Sequence, residues 1–130
     1  PCAAAGDHNL SGKNLMWSPE MSATLNIEHT FYPASGWLVR PHLSISHTGE
    51  MFFNETNYAV APFHSGQEAT TTANAAVTLV NEAEAWGIEL YVFNLTDELV
   101  KTDSFAGNAG YVRAMYAPPR AFGIRFQKDF

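Results

Sequence analysis

Polar and apolar residues alternate with a period of two along most of this 130-residue chain. Between Met21 and Phe31 one face takes Met21, Ala23, Leu25, Ile27, His29 and Phe31, and the other takes Ser22, Thr24, Asn26, Glu28 and Thr30. Further on, Trp37, Val39, Pro41, Leu43 and Ile45 oppose Leu38, Arg40, His42, Ser44 and Ser46. A third segment of small side chains sets Thr71, Ala73, Ala75, Val77 and Leu79 against Thr70, Thr72, Asn74, Ala76 and Thr78. The fourth opposes Trp86, Ile88, Leu90 and Val92 to Gly87, Glu89, Tyr91 and Phe93; the fifth opposes Phe122, Ile124 and Phe126 to Ala121, Gly123, Arg125, Gln127 and Asp129. Lys128 interrupts the last apolar face. Successive side chains of a strand point to opposite faces, whereas a helix would need a 3.6-residue stripe that no segment carries. The pattern predicts an all-β chain, an antiparallel up-and-down meander of about five long strands over 17–32, 36–53, 68–81, 85–100 and 119–130. Pro41 lacks a ladder donor and predicts an edge or a bulge at that point.

Alternation does not say which face is inside. A soluble sandwich buries the apolar face between two sheets, whereas a transmembrane barrel turns it to lipid. Three features favour the barrel. The predicted strands are longer than the roughly 5 to 6 residues usual in soluble proteins and suit the ~9 to 11 tilted residues that cross a bilayer. The connections alternate in kind, with tight "YPASG" and "NEAEA" set against long, Asn-, Gly- and Ser-rich "NETNYAVAPFHSGQE" and "TDSFAGNAGYVRAMYAPP", the layout of outer-membrane barrels. Trp37 and Trp86 each follow a short turn, near Phe31 and Tyr32, and Phe130 would lie at the same level, giving an aromatic row at one interface. The competing reading is a secreted, soluble β-sandwich binding module, in which the same aromatics plug a core.

Composition narrows the partners. Thirteen acidic residues outweigh seven basic ones, for a net charge of -6, which sets aside a nucleic-acid surface or a polybasic membrane patch. No run is apolar enough for a transmembrane helix, and "PCAAAGDHNLSGK" lacks the layout of a signal peptide and a starting Met, so Pro1 reads as a cut or processed end. Cys2 is the single cysteine; in an oxidising compartment it asks for a partner on other sequence, and in a reducing one it is a thiol.

The C-terminal half carries the most specific signal. "WGIELYVFNLTDELVKTDSF", a loop and "YAPPRAFGIRFQKDF" resemble the end of TonB-dependent outer-membrane receptors, in the element Asn94, Leu95, Thr96, Asp97 combined with Pro119, Arg120, Gly123 and Phe130. "LSGKNLMWSPEMSATLNIEHTF" and "GWLVRPHLSISHTGEMFFN" are similar to the preceding strands of that family, so the resemblance covers nearly the whole chain. Lys128, where these receptors usually have an aromatic or apolar residue, and "LMWSPE" depart from the family pattern.

The resemblance implies that the chain is the last part of a roughly 22-stranded transmembrane β-barrel with an N-terminal plug, in the bacterial outer membrane. Five strands alone cannot close such a barrel. The implied partners are the remaining barrel and plug, TonB through the plug, outer-membrane lipid and a nutrient chelate. The terminal Phe130 belongs to the closing strand, and Cys2 would lie in an external loop, bridged to a cysteine upstream. With Phe130 periplasmic, both short turns are periplasmic, and residues 1–15 and the loops at about 54–67 and 101–118 are extracellular. Trp17, Trp37, Trp86 and Phe130 then mark the membrane interfaces.

Chemistry is sparse. His8, His29, His42, His47 and His64 show no metal-ligand spacing, and neither a metal nor a cofactor is expected. His29 and His47 fall on the outward face; His42, Arg40, Glu28, Glu89 and Arg125 fall on the inward one, where opposite charges can form a cross-strand ladder. Asp97 and Glu98 are adjacent strand residues pointing apart, unlike a glycosidase pair. Ser11, Ser18 and Ser65 lack a nucleophile-elbow context, and "GNAG" lacks a phosphate-cradle context. Asn54-Glu-Thr and Asn94-Leu-Thr match the glycosylation pattern, which is immaterial in a bacterial outer membrane. The expectation is a transport protein, not an enzyme, that imports a scarce nutrient such as a ferric siderophore. Tyr58, Phe63, His64, Phe105, Tyr111 and Arg113 are the candidate capture residues, since aromatic and charged loop tips suit polar chelates.

Overall fold

The computed structural model describes residues 10–57, 64–106 and 111–128. Among these residues ten strands succeed one another: β1 (Ser22–Glu28), β2 (Phe31–Ala34), β3 (Trp37–Thr48), β4 (Met51–Phe52), β5 (Gly66–Gln67), β6 (Thr70–Asn81), β7 (Trp86–Phe93), β8 (Lys101–Ala106), β9 (Val112–Tyr116) and β10 (Ala121–Lys128). They fall into two units. One gathers residues 22–48, 70–99 and 118–128; the other takes described residues from 10–21, 49–69 and 100–117.

The first unit is an antiparallel sheet in the order β1-β3-β6-β7-β10, with β2 continuing β1 along β3. The register is uninterrupted from Trp37↔Asn81 to Thr48↔Thr70, from Ala75↔Val92 to Asn81↔Trp86, and from Ala121↔Phe93 to Lys128↔Trp86. Tight turns lie at the Trp37, Asn81 and Trp86 end, and the chain leaves for its long connections from the opposite end. Gly36, at φ +77°, occupies the left-handed region in the first turn, where a Cβ is penalised. In the second, the Asn81 side-chain oxygen accepts the N–H groups of Ala83 and Glu84 at 3.1 and 3.2 Å, and Ala85 turns left-handed at φ 54°.

Pro41, whose missing donor predicts an edge or a bulge, is at neither. It sits inside β3 with paired strands on both sides, opposite Val77 of β6. The cost falls on the other neighbour. His29 N–H donates to the Pro41 carbonyl at 3.3 Å, but proline has no N–H to complete the pair. There the ladder breaks, and β1 and β2 are separate segments. The bulge lies between Phe31 and Ala34, beside the turn.

The strands are also shorter than the alternation predicts. The first begins at Ser22 and not near residue 17, because Trp17 is left-handed at φ 58° and Pro19 cannot donate to a ladder. The fourth ends at Phe93 and the last runs from Ala121.

The second unit holds two small antiparallel pairs, β4 with β5 and β8 with β9. Gly66 permits the first, since a Cβ there would stand 2.6 Å from the Met51 carbonyl oxygen. Met16 bridges Phe52, Trp17 N–H donates to the Phe52 carbonyl at 2.9 Å, and the Trp17 ring lies 4.9 Å from that of Phe53. Trp17 thus touches Phe52 and Phe53 while 52% of it stays exposed.

Candidate functional site

The sheet sorts most of its side chains by face, with Leu38, Val80, Tyr91 and Phe93 on the polar side and His47, Thr71, Asn81 and Lys128 toward the ends of the apolar one. Following the register, one face carries Ala23, Leu25 and Ile27 of β1, Val39, Pro41, Leu43 and Ile45 of β3, Ala73, Ala75, Val77 and Leu79 of β6, Ile88, Leu90 and Val92 of β7, and Phe122, Ile124 and Phe126 of β10. The other carries Ser22, Thr24, Asn26, Glu28, Arg40, His42, Ser44, Ser46, Thr72, Asn74, Thr78, Glu89, Arg125 and Gln127. Within this unit no second layer covers the apolar face among the described residues: Phe122 is 75% exposed and Ile124 74%. Monomeric soluble proteins rarely expose a contiguous apolar area of this extent.

On the polar face the expected charge ladder is present in one place among the described residues. Arg125 donates to Glu89 directly across β7 and β10 and lies 5.6 Å from the Tyr91 ring centroid. Glu28 faces His42 in register, and Arg40 faces Thr78. A recess of about 410 Å³, lined among others by Thr78, Val80, Gly87, Glu89, Arg125 and Gln127, opens on this face near the tight turns. Thr24 with Ser46 (3.3 Å) adds a cross-strand hydroxyl pair on the same face; His47 with Thr71 (2.9 Å) pairs on the other.

Asn94, Leu95, Thr96, Asp97 and Arg120 come together as a structural elbow. Asn94 takes a left-handed φ of 49°, which asparagine tolerates better than most residues, and this ends β7. Its N–H donates to the Asn74 side chain at 2.9 Å, its side-chain amide donates to the Glu98 carbonyl at 2.9 Å, and its side-chain oxygen accepts from Glu98 N–H at 3.0 Å and Thr96 Oγ1 at 3.3 Å. Only 8% of Asn94 is exposed, so these bonds satisfy groups that water cannot reach. Leu95 N–H then bonds the Ala73 carbonyl at 2.7 Å. Arg120 binds Asp97 at 3.0 Å and reaches the Leu95 carbonyl at 3.4 Å, tying the segment before β10 to the segment after β7. Pro119 precedes that guanidinium and is exposed. Gly123 faces Tyr91 in register, and a Cβ at 123 would overlap the tyrosine ring. The glycine lets the aromatic ring lie over its neighbour strand, a known device for pinning register. Phe130 lies outside the described residues.

Of the six capture candidates, Phe105, Tyr111 and Arg113 are brought together. Phe105 of β8 faces Arg113 of β9. The Arg113 guanidinium lies 6.0 Å from the Phe105 ring centroid and 5.4 Å from that of Tyr111. All three are exposed, and Arg113 has no ion-pair partner among the described residues. A depression of about 280 Å³ runs along this hairpin between Asp103, Phe105, Arg113 and Met115. His64 is apart from them, its ring 6.4 Å from Phe52. Tyr58 and Phe63 lie outside the described residues. Among those that are described, no three His, Cys, Asp or Glu side chains gather as metal ligands.

Two connecting residues escaped sequence reasoning. Lys101 Nζ donates to the carbonyls of Gly66 at 3.0 Å and His64 at 3.4 Å, which fastens β8 to β5. The Asn57 side chain donates to the Asn14 carbonyl at 3.1 Å and accepts from the Asn14 N–H. A lone lysine and an asparagine in a loop carry no periodic signal.

No protein-family model matches the sequence, and no curated protein matches it either. Among solved structures, the ferric yersiniabactin uptake receptor FyuA from Yersinia pestis is similar over 88% of this chain, with a TM-score of 0.75 and 22% identity. The match takes up 17% of the FyuA chain. The likeness establishes the fold: an antiparallel, all-β sheet like part of a β-barrel receptor, with the barrel not closed by these strands alone.

Proposed function

We propose that this chain is the C-terminal part of the barrel of a TonB-dependent outer-membrane receptor, a transport protein rather than an enzyme, that takes up a scarce nutrient such as a ferric siderophore. The observation that carries this reading is the sheet with one continuous, uncovered apolar face and one polar face. Hydrocarbon offers backbone groups no partner, so a sheet crossing it must close on itself with apolar residues outward. The fold likeness to a receptor for a ferric chelate supports the nutrient class. In this reading the polar face lines the lumen against a plug from the rest of the receptor. The Phe105, Tyr111 and Arg113 cluster, with Tyr58, Phe63 and His64, contacts the ligand from outside, and TonB draws on the plug using inner-membrane energy.

Cell fractionation and uptake test this together. The protein should sediment with outer membranes and need detergent for extraction, and cells lacking it should lose TonB-dependent uptake of one radiolabelled ferric chelate. A compact monomer soluble without detergent would overturn the reading in favour of the secreted sandwich.

A further inference from the structure

Lys128 is the only Lys, Arg, Asp or Glu that β1, β3, β6, β7 and β10 place on the apolar face among the described residues. An ammonium in mid-hydrocarbon is costly, but this one stands at the turn end of the sheet. There the register forms a row across four strands, Trp37↔Asn81, Asn81↔Trp86 and Trp86↔Lys128. The two indoles meet edge to face with centroids 5.6 Å apart. In the adjoining turn, Glu84 accepts a hydrogen bond from Trp86 Nε1 at 3.2 Å. Asn81 is committed to the turn through its side-chain oxygen. Trp86 thus has a lysine opposite it in register and a carboxylate bonded to its ring. Lys128 and Glu84 are both exposed, and neither forms an ion pair among the described residues.

Opposite charges beside a pair of amphipathic rings, at the margin of an apolar band, complement a headgroup that carries its own anion and cation above acyl chains. We propose that this row is a headgroup site for a phosphoglyceride with a primary ammonium, of the phosphatidylethanolamine type. Lys128 takes the phosphate, Glu84 takes the ammonium, and Trp37 and Trp86 lie against the glycerol and first methylenes, where amphipathic rings are favoured. A net anionic headgroup meets the Glu84 carboxylate without a cation to answer it. A trimethylated ammonium has no N–H to donate to that carboxylate. The site rests on the reading that the apolar face meets lipid.

The test uses the full-length receptor in nanodiscs whose phosphatidylethanolamine, phosphatidylglycerol or phosphatidylcholine carries brominated acyl chains, which quench nearby indoles. Subtracting the Trp37→Phe/Trp86→Phe signal isolates the two tryptophans. Brominated phosphatidylethanolamine should be favoured over the other two by about fivefold, the scale of an exposed charge pair. Lys128→Gln and Glu84→Gln should each bring the ratio toward one, and Lys128→Arg should keep it. Assembly of each variant is checked by heat-modifiable electrophoretic mobility; if Lys128→Gln does not assemble, Glu84→Gln decides. Absence of quenching by any brominated lipid overturns the membrane reading itself. Quenching without headgroup preference, a preference for phosphatidylglycerol, or a preference that survives the Gln variants overturns the headgroup site alone.

Discussion

Replacing Ile124 with lysine places a charge where the two environments open to the apolar face differ most in cost. Ile124 pairs with Leu90, which pairs with Val77. From Trp86 to Leu90 the strand advances four residues, about 13 Å at roughly 3.3 Å each. At a tilt of about 40° this is about 10 Å of depth, close to the middle of an apolar band about 25 Å tall. Lysine near the midplane should destabilise by about 2 to 4 kcal/mol. In water, a side chain already 74% exposed should tolerate the change within about 0.5 kcal/mol. Gln127→Lys, on the opposite face one residue from the row of Trp86, is the control and should stay within about 0.5 kcal/mol. The assay is equilibrium guanidinium unfolding of the full-length protein refolded into phosphatidylcholine vesicles, followed by tryptophan fluorescence. If Ile124→Lys and Gln127→Lys both leave the transition unmoved, the apolar face does not contact lipid and the reasoning fails. Leu25→Lys and Leu90→Lys should follow Ile124→Lys.

Three further outcomes follow from local geometry. Gly123→Val should cost about 1 to 3 kcal/mol because the Tyr91 ring must leave its place; adding Tyr91→Ala should recover part of that loss in the same unfolding assay, and no recovery would show that the overlap is not the cause. The Asp97–Arg120 pair has side chains 50% and 40% exposed, so a double-mutant cycle with Asp97→Ala and Arg120→Ala should give a coupling of about 0.5 to 1 kcal/mol that falls as salt rises; a coupling unchanged by salt would refute its ionic character. Ala85→Gly should raise stability by several tenths to about 1 kcal/mol by relieving a left-handed alanine, and a lowered unfolding midpoint would contradict that account of the turn.

The division into two faces is legible because a period of two is set by strand geometry, and the register that matches apolar to apolar positions collects Leu25, Leu43, Leu90 and Ile124 on one side, whereas a slip of one residue would scatter them. The limits of the strands were less legible. Alternation continues past Phe93, but the chain turns left-handed at Asn94, whose side-chain bonds to Glu98 and Thr96 depend on residues folding back. The contacts of Trp17 are not legible either: its backbone bonds Phe52 and its ring lies by Phe53, over thirty positions away, and distant contacts leave no local period. Pro41 points to an edge or a bulge because its missing donor must face somewhere; that it faces the β1 side within paired strands depends on neighbours the local sequence does not show. Among the loop candidates, chemistry alone singles out Phe105 and Arg113, and it is the hairpin register that makes them neighbours.

The proline in β3 also gives the wall a seam. A rung missing opposite His29 leaves β2 held to β3 only by what lies between that gap and the turn, so the corner from Phe31 to Gly36 can peel while β1 stays attached. Amide protons of Thr30 and Phe31 should accordingly trade with deuterated solvent sooner than those of Leu43 to Ser46; equal rates would mean that neighbouring contacts mend the tear as fast as it opens.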